Sequence, residues 1–583
     1  ASMTTDVTRL EQYQGATAGV GTLAINGTTT MSESVGNVAL AEISVAATKA
    51  ATFSELVKAT TITGTGNLIF AKAVTSTNIN LTGTTMSVIN AGAIAVTGTI
   101  AEVSGTTALV IKNATATDAP SLTTFAGATT VDSVTVGSAT VSGAAKFSSA
   151  VTSNVTVLGG DHDDEDSTVE LVGALTGNLT ITTGTNDGIA TATLSGGATA
   201  KSLTGNVISG TANTGALVIS GTATTVTGTI GAEALRLLEV SVADGADTTF
   251  NDVIHAVTLD IDTNAVGEVT TISKSGHVVG INGGTTGALQ IAGGELMLET
   301  TVVAGETIFD VKETAGDANG VLIGAAVNVI PPVNFTSGTI TLIDGVAAGT
   351  SDTEAAFLTA QDNLLTDFST TTTANKDTTI TAATKTNSTI ASSLSVTTNE
   401  AAALRQLVDS ANSASDSTVL SDLQTAMSKH SAGTGQAAET KEILEQVAVQ
   451  TDVTAGSVTA ATAMTGTVQS IVSNRMASLR SGDAFISGVS AGNGMTANSA
   501  FIQAFGSEVT QKTRQKSLAN IYGYSSDTSG VALGVDGVTQ TGETIGLSAS
   551  YSSTDVAGKG TGKSKNAIDS YTVSLYADKA TDF

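Results

Sequence analysis

The chain has 583 residues, which is long enough for several ordinary domains or for one very elongated one. Charged residues make up 13% of it and aromatic residues 3%, with 62 glycines and 3 prolines. This composition is too apolar for a disordered chain and too rich in glycine for helical bundles. The net charge of −28, without any basic stripe, excludes nucleic acid and disfavours other polyanions as partners. Cysteine is absent, which excludes disulfides and thiolate metal sites.

Residues 1–396 are predicted to form an all-β domain, because short segments of Thr, Val, Ala and Ser alternate with turns rich in Gly and Asn. A loose repeat, Thr-Gly-Asn/Ala-Leu/Val, begins at Thr65, Thr176, Thr204, Thr214 and Thr286 without a fixed period. An irregular right-handed β-helix with loops of variable length or a string of small sandwiches would both give this pattern. The scarcity of aromatic residues favours the β-helix, since stacked coils are filled by small aliphatic ladders.

Residues 397–457 change to a helical period and are predicted to form a helical junction. Thr397 and Glu400 make a capping box ahead of an apolar stripe that starts at Leu404. Further helical segments follow, and Gly433, Gly435 and Gly456 are read as breaks between them.

A single amphipathic helix is predicted for residues 458–482. Its apolar stripe and the polar positions around it define a set of candidate functional residues. These residues are Val468, Gln469, Ile471, Val472, Asn474, Arg475, Met476 and Leu479.

Residues 483–583 alternate strictly between apolar side chains and small or polar ones, and five of the six tyrosines cluster here, near predicted strand ends. One apolar face over segments of about ten residues, with Gly, Ser and Thr opposite, is what the wall of a water-filled membrane barrel requires. A soluble antiparallel sheet gives the same alternation, but a face of Gly, Ser and Thr suits a wet lumen better than a core. The predicted lipid face comprises Val531, Leu533, Val535, Ile545, Leu547, Tyr551, Tyr571, Val573 and Leu575.

The segment "SNRMASLRSGDAF", followed by "FIQAFGSEVTQKTRQKSLANIYGYSSDTSGVALGVDG" and the alternating strands, resembles the C-terminal translocator of bacterial autotransporters, the type V secretion family. The resemblance covers roughly residues 458–583. It implies an incomplete antiparallel outer-membrane β-barrel at 483–583, a linker helix in the barrel pore at 458–482, and a β-helical passenger at 1–396 displayed at the cell surface. It also implies outer-membrane lipid and the barrel-assembly machinery as partners, together with an extracellular ligand of the passenger.

Two departures from that family are visible in the sequence. About 100 residues follow the helix, enough for four or five strands of a twelve-stranded barrel, so we expect a chain truncated within the barrel. Members that cut themselves in the pore carry an adjacent Asn pair about one turn before the "RM" dipeptide. Ser470 and Ile471 stand at those places here, so we expect the passenger to stay attached.

The dense acidic stretch "GGDHDDEDSTVE" contains the one candidate metal site, in which Asp161, Asp163 and Glu165 have the alternate spacing that suits oxygen ligation of calcium. A solvated loop would explain the same stretch, and no other cofactor is expected.

No catalytic residues are predicted. The G-x-S-x-G match at 488–492 falls between the helix and the first barrel strand, where no nucleophile elbow is expected. Asp260 and Asp262 are the closest carboxylate pair in the β domain.

The sequence therefore predicts a non-catalytic, adhesive or structural passenger on an outer-membrane translocator. An enzymatic passenger on the same translocator is one alternative, and a soluble phage or filament fibre is another.

Overall fold

The computed structural model describes residues 2–5, 16–116, 120–160, 166–183, 188–197, 199–262, 268–280, 288–312, 321–323, 327–344, 358–372, 377–394, 398–413, 451–481, 495–516, 519–560 and 564–579. These residues fall into two compact units, 2–384 and 385–579.

The first unit consists of short strands that pair almost entirely in parallel, and most of them pair with a strand two or three positions away in the chain. Its first half contains β1 Ser2–Thr5, β2 Thr22–Ile25, β3 Thr29–Met31, β4 Val35–Val45, β5 Ala50–Phe53, β6 Val57–Gly64, β7 Asn67–Phe70, β8 Val74–Thr82, β9 Thr85–Asn90, β10 Ile94–Ser104, β11 Ala108–Asn113, β12 Leu122–Phe125, β13 Thr129–Val136, β14 Ala144–Phe147, β15 Val151–Leu158, β16 Ser167–Leu171, β17 Leu175–Thr176, β18 Leu179–Thr182 and β19 Ala190–Leu194. Its second half contains β20 Lys201–Thr204, β21 Val207–Ser209, β22 Thr214–Ile219, β23 Thr224–Val226, β24 Leu237–Val242, β25 Thr248–Phe250, β26 His255–Ile261, β27 Val269–Ile272, β28 His277–Val279, β29 Leu289–Ile291, β30 Glu295–Leu298, β31 Thr307–Val311, β32 Val321–Ile323, β33 Val327–Ile330, β34 Gly338–Asp344, β35 Leu358–Ala360, β36 Thr366–Thr372 and β37 Thr378–Thr384.

Successive coils stack their inward side chains in register, so the core is a set of columns. One column runs through Val35, Val57, Val74, Val96, Phe125, Phe147, Leu171, Leu194, Ile219, Val242, Ile261, Ile291 and Ile323. Its steps vary between 17 residues, from Val57 to Val74, and 32 residues, from Ile291 to Ile323. The β-helix with loops of variable length is therefore confirmed.

The Thr-Gly-Asn repeat forms a stacked turn. The backbone N–H of Asn178 donates to Asn154 Oδ1 at 3.0 Å, and that of Asn206 donates to Asn178 Oδ1 at 2.9 Å. Gly177 and Gly205 both have φ +137°, and a Cβ on Gly205 would lie 2.3 Å from the carbonyl oxygen of Gly177. Only glycine permits this approach, which explains why the motif has glycine at these two stacked positions.

The first unit ends in an antiparallel hairpin, since β37 pairs with both β36 and β34. The β structure stops at Thr384 and helix α1, Asn387–Leu394, follows, whereas the sequence placed the boundary at 396. Thr386 Oγ1 accepts a hydrogen bond from the N–H of Thr389 at 3.2 Å and so caps this helix. The helix is rich in Ser and Thr, as are the strands before it. The change from strand to helix periodicity is therefore not visible in the sequence.

The second unit contains α1, α2 Thr398–Ser413 and α3 Thr451–Ser481. Thr397 and residues 414–450, including Gly433 and Gly435, lie outside the described residues. Helix α3 begins seven residues before the predicted start at 458 and passes through Gly456, so Gly456 does not break a helix. None of the helices among the described residues combines the length and the apolarity needed to cross a membrane.

The sheet of the second unit is antiparallel, and its neighbouring strands pair over nearly their whole length. Its strands are β38 Met495–Thr510, β41 Tyr524–Thr539, β42 Glu543–Gly558 and β43 Lys565–Lys579, in that order, and a small hairpin of β39 Arg514–Lys516 and β40 Ala519–Ile521 lies within the connection from β38 to β41. The predicted alternating segments thus form an antiparallel sheet, and its strands are 15 or 16 residues long rather than about ten.

One core position of the β-helix is ionisable. His277 is fully buried, its ring lies 5.4 Å from that of Phe309, and its Nδ1 accepts the N–H of Ile254 at 3.0 Å. Its Nε2 lies 2.8 Å from the carbonyl oxygen of Lys274, to which the neutral imidazole donates. Burial lowers the pKa of His277 to about 4, with a smaller contribution from His255, against the opposing effects of the Lys274 carbonyl and Asp252.

We expect the β-helix to lose stability as the pH falls from about 6.5 to about 4. Because the folded-state pKa lies below the unfolded one, only the unfolded chain binds a proton in this window, and the full effect is about 3 kcal/mol. Thermal unfolding followed by circular dichroism at pH 7 and pH 4.5 measures this effect. His277→Gln can keep both hydrogen bonds without titrating, so it should reduce the acid sensitivity, whereas His255→Gln, at a half-buried site, should reduce it less. Equal acid sensitivity of the wild-type and His277→Gln proteins would contradict the assignment.

Candidate functional site: a helix on a two-faced sheet

The outer face of the antiparallel sheet is apolar and exposed. Leu533, Leu547 and Leu575 are 54%, 50% and 77% exposed. The other predicted lipid-face residues lie on the same face: Val535, Ile545, Tyr551, Tyr571 and Val573 are exposed and Val531 is half-buried. Ile502 of β38, which the sequence prediction missed, joins them at 77% exposure. These side chains form a continuous band across four strands, which we call the apolar band.

The inner face carries small and polar side chains, and helix α3 covers it. Its buried small and polar members are Ser499, Ser526, Thr528, Ala532, Asp536, Ser548, Ser552 and Thr554, and Tyr524, Val556 and Tyr576 are buried beside them. Serine and threonine side chains cannot form a hydrophobic core, so most of this face suits polar contacts. Hydrophobic packing is found at the long-loop end, where Tyr524 and Val556 contact Ala460 of the helix.

Helix α3 packs on this face through one stripe. Val468, Ile471 and Leu479 are buried, Val472 and Met476 are half-buried, and Gln469 and Asn474 are exposed on the opposite side. The stripe continues toward the N-terminus through Val453, Gly456, Ala460 and Met464. Its spacing of three and four residues is the helical period seen in the sequence, extended by about four turns from Val468 to Val453.

The helix runs along the full height of the sheet in a defined direction. Ser457 Oγ lies 2.8 Å from Asn566 Nδ2, at the end where longer connections join β38 to β41 and β42 to β43. Near its other end, Arg480 Nε lies 2.6 Å from Asp578 Oδ2, beside the short turn between β41 and β42. The N-terminus of the helix therefore points to the long-loop end.

Arg475 is the central polar contact between helix and sheet. Its Nε and Nη2 donate to the two carboxylate oxygens of Asp536 at 2.9 and 3.1 Å, and Nη2 also donates to Ser499 Oγ at 2.6 Å. The hydroxyls of Ser499 and Tyr576 both donate to the same carboxylate, Tyr576 at 2.8 Å. The guanidinium carbon lies 5.1 Å from the centre of the Phe501 ring. Asp536 is thus a fully paired carboxylate whose side chain is 0% exposed.

Aromatic rings of the inner face lie over glycines of neighbouring strands. A Cβ on Gly534 would lie 2.4 Å from the ring of Phe501, and one on Gly530 would lie 2.5 Å from the ring of Phe505. A Cβ on Gly546 would lie 2.2 Å from the ring of Tyr576. The glycines of the alternating segments therefore leave room for cross-strand rings, which also pack the sheet.

Gly456 allows the closest approach of helix and sheet. A Cβ at this position would lie 2.7 Å from Cγ of Tyr524 and 2.9 Å from Cγ1 of Val556. These distances are too short for a side chain, so the absence of a Cβ sets the spacing at the long-loop end.

We expect Gly456→Ala to destabilise the helix–sheet unit by about 1–3 kcal/mol, because the new methyl group would displace Tyr524 or Val556. The matched control is Gly466→Ala on the same helix, where a Cβ meets nothing within 4 Å. That change should stabilise the helix by roughly 0.5–1 kcal/mol. Urea unfolding in detergent micelles measures both, and shifts of equal sign would contradict the packing at Gly456.

The positions of the tyrosines differ from the sequence prediction, which placed them near strand ends. Tyr551 and Tyr571 are register partners in the middle of their strands, with ring centres 5.2 Å apart. Outward positions beyond them are polar, as in Asp555 and Asp569, so the two rings mark the edge of the apolar band. Tyr524 and Tyr576 instead face helix α3 and are buried. The strands continue past the apolar band, which is why the rings are not at strand ends.

The other sites considered in the sequence are the calcium site, the G-x-S-x-G segment and the carboxylate pair of the β domain. Asp161, Asp163 and Glu165 lie outside the described residues, as does the G-x-S-x-G segment at 488–492. The described residues contain no group of three or more side chains arranged to hold a metal ion. Asp260 is half-buried on β26, where burial, and then Asp262 and Glu239, raise its pKa.

Comparison with known proteins identifies the same segment. Residues 500–582 match the family model of the autotransporter beta-domain. No curated protein and no solved structure matches the chain significantly. The match covers most of β38 and all of β41, β42 and β43, which are the strands that carry the apolar band. Residues 500–582 are therefore an autotransporter β-domain, the outer-membrane part of a surface-secreted protein, and a parallel β-helix precedes it in the same chain.

Proposed function

We propose that the apolar band contacts outer-membrane lipid, that helix α3 lies in the lumen of the barrel to which these strands belong, and that the β-helix is the passenger displayed outside the cell. The two-faced sheet carries this proposal. Exposed leucines on one face and buried serines and threonines under a helix on the other match a lipid-facing wall with a polar interior.

The dimensions of helix and strands agree with this placement. The stretch from Gly456 to Arg480 spans about 36 Å at 1.5 Å per residue. A 15-residue strand is about 50 Å long, and a tilt of about 45° reduces its height to about 35 Å. The helix is thus long enough to pass through a barrel of this height. Its N-terminus lies at the long-loop end, which in outer-membrane barrels is the extracellular side.

The passenger is proposed to be adhesive or structural and without catalytic activity. Its coils present columns of exposed side chains such as Thr130, Thr152, Thr176 and Thr204, which are register partners in successive coils. Neighbouring strands are about 4.8 Å apart, so such a column offers the same hydroxyl repeatedly along one face. A repeated polar face suits extended contact with a ligand better than a single reaction centre does.

The passenger is further proposed to stay attached. Ser470, at one of the two places where self-cleaving autotransporters carry asparagine, donates its hydroxyl to the Gly466 carbonyl at 2.9 Å within the intact helix α3. Insertion by the barrel-assembly machinery follows from the family of the β-domain. That family also favours secretion over the soluble-fibre alternative.

Protease treatment of intact cells that express the full protein tests this function. We expect fragments of residues 1–384 to be released while the strands β41 to β43 remain in the outer-membrane fraction. A protein that is protected throughout in intact cells and digested only after lysis would contradict surface display, and one recovered without detergent would contradict the lipid-facing wall.

A catalytic passenger is the second candidate, favoured by the raised pKa of the Asp260 carboxyl beside Asp262. A carboxyl group of raised pKa close to a second carboxyl group is an arrangement that general acid–base chemistry uses. A hydrolase screen with the wild-type protein and Asp260→Asn distinguishes the two candidates. The calcium site at Asp161, Asp163 and Glu165 stays a prediction, which a calcium titration of the passenger would check.

A further inference from the structure

We propose that Arg475 is a positioning residue that sets the register at which helix α3 comes to rest in the barrel, by pairing with Asp536. This inference rests on the proposed function, in which α3 lies in the lumen. In this proposal, one ion pair determines the position of helix α3 along the barrel, rather than all contacts of the helix together.

The Arg475–Asp536 pair has a geometry that allows one position of the helix only. Two parallel hydrogen bonds join the guanidinium to the carboxylate, which fixes orientation as well as distance. Both side chains are largely removed from solvent, at 12% exposure for Arg475 and 0% for Asp536. Moving the helix by one turn would leave a buried carboxylate without its cation, which is costly because few other groups can replace the lost charge.

Apart from the close contact at Gly456, the rest of the helix distinguishes little between registers. Residues 453–474 contain no charged side chain, so Arg475 is the first cation after Lys441 along the chain. The packed stripe repeats every four residues through Gly456, Ala460, Met464 and Val468. A slide of one turn toward the long-loop end would bring the methyl group of Ala460 to the place of Gly456, against Tyr524 and Val556. Along the rest of the stripe it would replace one small or apolar side chain by another.

The second ion pair of the helix is a weaker discriminator. Arg480 pairs with Asp578, but the Arg480 side chain is 61% exposed, and exposed pairs contribute little to stability. Asp536 and Asp578 are the carboxylates at inward-facing positions of the described strands β38, β41, β42 and β43. We therefore assign the register to Asp536, which is the buried carboxylate of the two.

Because the chain has no cysteine, introduced cysteine pairs report the register directly. Ser457→Cys with Asn566→Cys joins two side chains whose polar atoms are 2.8 Å apart, and should form a disulfide in the native register. Ala461→Cys with Asn566→Cys reports a helix moved by one turn toward the long-loop end. The measured quantity is the ratio of the two cross-links in outer membranes that contain the full protein.

The deciding variant moves the arginine by one turn, as Arg475→Ala with Leu479→Arg. We expect it to change the ratio of the 461–566 to the 457–566 cross-link by about tenfold or more in favour of 461–566, since the new arginine meets Asp536 only in the shifted register. A helix held by its apolar stripe alone would keep the 457–566 cross-link, and that result would overturn the proposal.

A second experiment exchanges the two charges, and it applies if the Arg475→Ala, Leu479→Arg protein does not accumulate in the outer membrane. Arg475→Asp alone should lose the 457–566 cross-link, and Arg475→Asp with Asp536→Arg should regain it. Failure of the exchange to restore the cross-link, in protein that does reach the outer membrane, would overturn the register lock and leave the proposed function intact. Absence of the cysteine-substituted but otherwise native protein from the outer membrane would instead count against the proposed function.

Discussion

Replacing Val573 by arginine is expected to prevent stable insertion of the β-domain. Val573 lies in the middle of the apolar band on β43 and is 73% exposed. An arginine on the lipid face near the centre of a bilayer costs roughly 2–4 kcal/mol, and the lost contact of valine with lipid adds to this. Urea unfolding in lipid vesicles and the recovery of folded protein from outer membranes measure the effect.

The matched control is Ala567→Arg on the same strand and the same face. Ala567 is exposed beyond Tyr571, outside the apolar band, where an arginine costs only about 0–1 kcal/mol. Equal tolerance of arginine at both positions would show that the apolar band does not face lipid.

Replacing Phe147 by alanine is expected to destabilise the β-helix by about 3–5 kcal/mol. Phe147 is 1% exposed, its ring stacks on that of Phe125 with centres 4.7 Å apart, and it pairs in register with Leu171 on the next coil. The cavity would lie inside a column of stacked side chains, so neighbouring coils have little freedom to close it.

Hydrogen exchange resolved along the chain is the suitable measurement, because stacked coils unfold locally rather than all at once. We expect faster exchange in β12, β14 and β16 than in distant coils. Lys146→Ala is the control: Lys146 is the outward neighbour of Phe147 and pairs with Glu170 across coils at 2.8 Å, a partly exposed contact worth about 0–1 kcal/mol. Similar exchange in the two variants would contradict the column as the source of stability.

Sequence patterns were sufficient where a structure repeats. Alternation along β41, β42 and β43 predicted which side chains face outward, because successive residues of a strand point to opposite faces whatever the strand packs against. The stripe through Val468, Ile471 and Leu479 predicted the covered side of helix α3 for the same reason, with the helical period. Scarce aromatics and variable Thr-Gly-Asn spacing predicted a β-helix of uneven coils.

Sequence patterns failed where the structure depends on contacts between segments that are distant in the chain. Gly456 looked like a helix break because glycine has a low helix propensity, but the tight contact with Tyr524 and Val556 gives it a place inside the helix. The α1 helix was assigned to the β domain because its Ser and Thr residues resemble those of the strands. Alternation puts Tyr576 opposite Tyr571, on the inner face, but it did not indicate that the Tyr576 hydroxyl donates to Asp536.

The sequence by itself determined the periods of this chain, and through them the parallel β-helix, the two-faced strands and the amphipathic helix, because periodicity is a local property of the backbone. Only the tertiary structure decided that Arg475 meets Asp536, 61 residues away, and that Gly456 admits the ring of Tyr524. Such pairings depend on which elements pack together and at what register. Neither charge nor spacing along the chain encodes that information.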